Sequence, residues 1–147
     1  MNEFIPLPHQ NPMNKSFSDL TALVIDDEAY CRRFVGQVLR NALVARILEA
    51  RDGREGVKLF QEHQPGLVLL DINMPHMNGL ETLAALRALS ATVPIVMLTS
   101  TSEEMVVEEC VGLGASFFIR KDVPAHQLSA ALREALDEFL QPKEPTP

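Results

Sequence analysis

The chain contains no tryptophan, a single tyrosine and only two cysteines among 147 residues. Cys31 and Cys110 stand too far apart to form a disulfide framework or a zinc knuckle. Both fall in helically patterned stretches, where the plain reading is two buried or half-buried thiols. Long apolar runs are also missing: the longest are strand-sized, well short of the ~20 residues that cross a bilayer. No basic region followed by an apolar stretch is visible near the N-terminus, so no secretory signal and a cytoplasmic protein are expected. Positive charge is scarce, with 13 Lys and Arg against 20 Asp and Glu, a formal net charge of −7. That balance removes the electrostatic basis for direct nucleic-acid binding and suits contact with other proteins or a cation. His9, His63 and His126 show no metal-ligand spacing, and His76 reads as a solvated loop histidine.

What remains is a globular composition, 46% hydrophobic and 22% charged, of a length that suits one domain. Residues 1–18 carry three prolines and no apolar periodicity, which predicts a mobile arm. Residues 141–147 form a short Pro-rich tail. The folded domain is expected over residues 19–140, with neither end long enough to be an output domain.

Within that span, apolar runs and helical patterns alternate. Leu20 to Ile25 predicts a buried strand, and Cys31, Phe34, Val35 and Val38 share the stripe of a following helix. Val44 to Leu48 predicts a weaker second strand. Asp52 and Glu55 predict a capped helix to about His63, and Leu67 to Leu70 a third strand ending at Asp71. Asn78 and Glu81 open a helix to about Leu89, and Pro94 to Leu98 is a fourth strand ending at Thr99. Residues 101–104 carry another capping signature for a helix to about Leu113, followed by a fifth strand from Ala115 to Ile119. Leu128, Leu132, Ala135, Leu136 and Phe139 mark the last helix.

Strands that are apolar throughout are expected when helices cover both faces of a parallel sheet. Right-handed crossovers then predict an α/β doubly wound five-stranded parallel sheet of order 2-1-3-4-5, a flavodoxin-like three-layer sandwich. In such sheets the functional site lies at the carboxyl ends of the strands. Asp26 and Asp27, then Asp71, then Thr99 and Ser100, then Lys121 fall at those ends. A pocket of three carboxylates, a hydroxyl and an ammonium suits a hard divalent cation such as Mg²⁺ and phosphoryl transfer to an aspartate nucleophile.

Asp26-Asp27, Asp71-Ile72-Asn73-Met74-Pro75 with Gly79, Thr99 and Lys121 together resemble the receiver domains of two-component response regulators, over roughly residues 19–140. The stand-alone, chemotaxis-type regulators are the most similar kind. The resemblance implies that Asp71 is phosphorylated by a sensor histidine kinase or a histidine phosphotransfer protein. It implies that Asp26, Asp27, Asp71 and the backbone carbonyl of Asn73 hold Mg²⁺, and that Thr99, Ser100 and Lys121 bind the phosphoryl group. Thr99 and Phe118 would form the switch, and a downstream protein target would meet the fourth helix, fifth strand and fifth helix, roughly residues 103–140. A homodimer is compatible with it. Such a protein is a signalling switch and not an enzyme acting on a separate substrate.

One position departs from the pattern. The family has proline after the lysine, joined by a cis bond, where this chain has Asp122. A non-proline cis bond costs about 2.5–4 kcal/mol, so a rebuilt trans turn is expected. Asp122 is then a candidate cap for the last helix, with Pro124 in its first turn. Three other readings compete. An aspartate-based phosphohydrolase would carry a second aspartate two residues after the nucleophile, where this chain has Asn73. A receiver fold kept only for binding would not need the full set of acids, threonine and lysine. Flavin binding would need a phosphate loop after the first strand, and none is present.

Overall fold

The computed structural model describes residues 19–74, 77–100 and 104–140. The expected arm and tail, Pro75, His76 and the capping signature at 101–103 lie outside the described residues, as does the side chain of Phe139. Ten elements alternate: β1 (Thr21–Ile25), α1 (Ala29–Asn41), β2 (Arg46–Ala50), α2 (Gly53–His63), β3 (Leu67–Asp71), α3 (Gly79–Leu89), β4 (Ile95–Thr99), α4 (Glu104–Gly112), β5 (Phe117–Arg120) and α5 (Ala125–Leu140). All strand pairs are parallel, in the order β2-β1-β3-β4-β5. This is the doubly wound, flavodoxin-like sandwich that the alternation predicts.

The strand alternation builds two cores. Ala22 and Val24 of β1, Leu67 and Leu69 of β3, and Val96 and Leu98 of β4 pack against Val35 and Leu39 of α1 and Leu132 and Leu136 of α5. The intervening residues Leu23, Ile25, Val68, Leu70, Ile95 and Met97 pack against Phe60 of α2, Leu83 and Leu86 of α3, and Cys110 of α4. β3 and β4 are therefore buried along their whole length. Each such leucine or valine taken from water contributes about 1.5–3 kcal/mol. Among the described residues no helix is long and apolar enough to cross a membrane.

Two strands begin two residues later than the apolar runs suggest, for one shared reason. Val44 N–H donates to the Leu39 carbonyl and Leu43 N–H to that of Arg40, with Leu43 left-handed at φ 68°. These two bonds form a Schellman cap, in which the buried Val44 closes α1 rather than opening β2. Ala115 and Gly114 repeat the pair on Cys110 and Val111, with Gly114 at φ 97°. The helix ends consume the first apolar residues of each run.

The helix starts follow the sequence more closely. Asn78 and Glu81 form the full reciprocal capping box of α3. Asp52 caps α2 through Glu55 N–H, while the Glu55 carboxylate reaches back to Arg51 N–H. Arg87 ties α3 to the loops that enter β4 and β5, donating to the carbonyls of Val93 at 2.7 Å and Gly114 at 2.7 and 2.9 Å.

Gly79, the first residue of α3, sits directly on the end of β3. A Cβ there would lie 2.5 Å from both the Asp71 carbonyl oxygen and Ile72 Cα, which are backbone atoms and cannot rotate away. Gly79→Ala is therefore expected to destabilise the domain by roughly 1–3 kcal/mol through overpacking. Urea unfolding measures this, and an unchanged midpoint would contradict the packing argument.

Candidate functional site

Register brings the strand ends together. Ile25 pairs with Leu70, so Asp26 and Asp71 stand at matching height on adjacent strands. Asp71 pairs with Leu98 and Thr99 with Arg120. Lys121 follows, its N–H donating to the Thr99 carbonyl at 2.7 Å. Side-chain alternation then sorts these residues by face. Asp26, Asp71 and Lys121 continue the rows that pack against α1 and α5. Thr99 and Phe118 continue the opposite rows, and Phe118 packs half-buried against the second core while Phe117 packs against the first.

The Lys121 ammonium stands among three carboxylates. It lies 3.0 Å from Asp26 Oδ2, 3.3 Å from Asp71 Oδ1 and 3.3 Å from Glu28 Oε1. Asp26 is fully buried and Asp71 nearly so, whereas Asp27 and Glu28 are exposed. Carboxylate oxygens of Asp26, Asp27 and Asp71 all lie within 4.8 Å of one another. Asn73 N–H donates to Asp71 Oδ1 at 3.3 Å. A cleft of about 390 Å³ opens over the group, lined by Asp27, Glu28, Asp71, Asn73, Ser100, Lys121 and others. Thr99 is buried behind this cleft and is not part of its lining.

Burial pushes the Asp71 carboxyl up to about 7, and the neighbouring Asp26 charge adds to the effect against the pull of Lys121 and the Asn73 N–H. Burial alone would lower the Lys121 ammonium, but the Asp71 and Asp26 charges outweigh it and hold the group above its usual range. One cation thus offsets part of the negative charge here. Three close oxygen donors with charge left over fit a hard cation such as Mg²⁺.

Some members of the site are invisible in the sequence. Glu28, merely the residue after Asp27 there, accepts from both Lys121 and the Cys31 thiol at 3.3 Å. The Cys31 hydrogen bond, then Lys121, holds the Glu28 carboxyl below its usual range. Arg32 pins the turn before α1, donating to the Asp26 carbonyl at 2.7 Å and to Glu49 at 3.1 Å. Asp26 and Asp27 are not helix caps: Glu28 holds the N-cap position, and Asp26 Oδ1 accepts its N–H at 2.9 Å.

The turn after Lys121 is trans, as expected. Asp122 does not cap α5, however, because Arg120 Nε and Nη2 engage both its oxygens at 2.8 and 2.5 Å. The helix instead begins after Pro124, whose carbonyl accepts from Gln127 and Leu128.

The Asp71 shift has a consequence for stability. Its folded value, about 7, lies above the ordinary 3.8, so between these the folded domain keeps a proton that the unfolded chain has released. Metal-free protein therefore loses stability as pH rises through that window, and Asp71→Asn escapes the loss. At pH 8 in chelator the variant is expected to be more stable than the wild type by roughly 1–3 kcal/mol. The difference should shrink toward pH 4. Urea titrations across this range check it, and a variant weaker at pH 8 would refute the assignment.

Comparison with known proteins agrees with this geometry. Residues 22–133 match the family described as the response regulator receiver domain. The chemotaxis protein CheY of Listeria monocytogenes is 32% identical over 116 residues, covering 79% of this chain and 98% of that protein. A protein-glutamate methylesterase/protein-glutamine glutaminase of Treponema pallidum is 37% identical over 122 residues, but this chain spans only 30% of its length. Among solved structures, the CheX–CheY–BeF3–Mg²⁺ complex of Borrelia burgdorferi aligns with a TM-score of 0.74 at 25% identity, covering 81% of this chain and 87% of that one. With the strand order, the acids at the ends of β1 and β3 and the lysine after β5 all in place, the chain belongs to the response regulator receiver domain family.

Proposed function

We propose that this receiver domain is a phosphoacceptor switch in which Asp71 takes a phosphoryl group from a histidine-phosphorylated partner, either a sensor histidine kinase or a phosphotransfer protein. The observation that carries the reading is the Lys121 ammonium, held 3.3 Å from Asp71 and 3.0 Å from Asp26 at the floor of an open cleft. An Asp71 oxygen attacks phosphorus, an O–P bond forms and the P–N bond to the donor imidazole breaks, its electron pair returning to the ring nitrogen. Lys121 meets the phosphoryl oxygens, Ser100 lines their approach, and the Thr99 hydroxyl turns toward them from the opposite face. Asp26, Asp27, Asp71 and the Asn73 carbonyl are the groups that would hold Mg²⁺. Bound there, the ion would neutralise carboxylate and phosphoryl charge. The Borrelia burgdorferi CheY complex, which holds BeF3 and Mg²⁺, supports that choice.

The acyl phosphate adds roughly −1.5 to −2 charges, which bias a two-state arrangement of Thr99, Phe118 and the face of α4, β5 and α5. That face, roughly residues 103–140, is the proposed contact for a downstream protein. Met105 and Val111 are exposed apolar side chains on its α4 part. The domain spans residues 19–140 and transforms no separate substrate, working in the cytoplasm on its own aspartate.

Incubation with acetyl phosphate and Mg²⁺, followed by intact mass measurement, tests the reading. One Mg²⁺-dependent phosphate adduct is expected on the wild type and none on Asp71→Asn. Lys121→Met is expected to slow uptake by roughly 10²–10³-fold, as loss of a charge-stabilising donor does. Absence of any adduct from acetyl phosphate or a histidine-phosphorylated donor would favour a binding module that works without phosphorylation.

A further inference from the structure

Arg120 and Asp122 flank Lys121 in sequence and meet each other. Arg120 Nε donates to Asp122 Oδ1 at 2.8 Å and Nη2 to Oδ2 at 2.5 Å. Both carboxylate oxygens are thus taken by one planar guanidinium. This fork geometry fixes orientation as well as distance, which a single ammonium–carboxylate contact does not.

The backbone between the two is one residue long. On its amino side Lys121 is held by the sheet, through its N–H bond to the Thr99 carbonyl. On its carboxyl side the chain leaves β5 for α5, where the fork closes the first step around Lys121 and Val123 then packs against the first core. The ammonium sits at the end of a four-carbon stem, within 3.3 Å of buried Asp71 and of exposed Glu28 alike. The stem alone therefore does not favour the buried acids over the exposed one. Asp122 also stands on the rim of the cleft, where Arg120 keeps its charge occupied.

We infer that the Arg120–Asp122 fork is a positioning device for Lys121, fixing the turn between β5 and α5 so that the ammonium rests on Asp71 and Asp26. Neither residue touches a reacting atom; both act through Lys121. The two side chains are 47% and 40% exposed, so solvent and salt screen the pair and its hold weakens with ionic strength. The consequence for phosphoryl transfer rests on the role proposed for Asp71, but the positioning itself does not.

The chain has four lysines, so a nitrogen-resolved NMR spectrum of the side-chain ammonium groups can isolate Lys121. Metal-free full-length protein at low ionic strength is expected to give a protected Lys121 signal distinct from exposed lysines. Arg120→Met and Asp122→Ala should each shift or broaden it, and the exchanged pair Arg120→Asp with Asp122→Arg should restore it. In parallel, Mg²⁺-dependent uptake from acetyl phosphate should slow roughly 3- to 10-fold in the single variants, short of the 10²-fold that a 1 Å misplacement can cost, and recover in the exchanged pair. An unchanged Lys121 signal in Asp122→Ala overturns the inference. So does failure of the exchanged pair to restore it when circular dichroism matches the wild type. A wild type that accepts no phosphate defeats the Asp71 reading instead, and the ammonium signal still decides the fork.

Discussion

Asp26 and Asp71 are buried side by side on adjacent strands, and two carboxylates so placed repel unless a positive charge stands between them. The ammonium that fills this role comes from β5, which is not adjacent to β3. Lys121 must therefore cross the end of β4, and its long stem can do so because Thr99 belongs to the row on the other face of the sheet. The strand order, the parallel register and the alternation of β4 are each needed for that one contact. Even so, Lys121 does not undo the cost of burial: Asp71 stays up near 7, first because it is buried and then because the Asp26 charge stands beside it.

The sequence reveals the acids because each ends an apolar run, and a charged residue closing a buried parallel strand has few structural reasons to be there. Asp71 after Leu67 to Leu70 and Asp26 after Leu20 to Ile25 were legible on that ground. The starts of β2 and β5 were not, because Val44 and Ala115 look like strand residues yet close helix caps. Whether an apolar residue caps a helix or opens a strand depends on the left-handed residue before it. Gly114 advertises that conformation, whereas Leu43 conceals it. Glu28, Arg32 and Arg87 were illegible for a different reason. Their partners are distant in sequence, as with Lys121 for Glu28 and Gly114 for Arg87, and only the folded chain brings them within reach. Asp122 looked like a cap because helix starts favour acids, but the neighbouring guanidinium competes for it more strongly.

The two faces of the sheet divide the work. The charged group of Asp26, Asp71 and Lys121 lies above the core shared by α1 and α5, while Thr99 and Phe118 belong to the side of α2, α3 and α4. Under the proposed function, charge arriving on Asp71 must therefore be felt across the sheet. One direct connection is the bond from Lys121 N–H to the Thr99 carbonyl, which would join the residue proposed to meet the phosphoryl group to the backbone of the residue proposed to respond. Met97, two residues below Thr99 and on the same face, pairs with Phe118. On the proposed reading, a shift of Thr99 toward the cleft would be felt at Met97 on the same face and at its half-buried partner Phe118. The Arg120–Asp122 fork borders this same Lys121–Thr99 bond. If it holds Lys121 as inferred, that constraint falls on the residue whose backbone N–H meets Thr99.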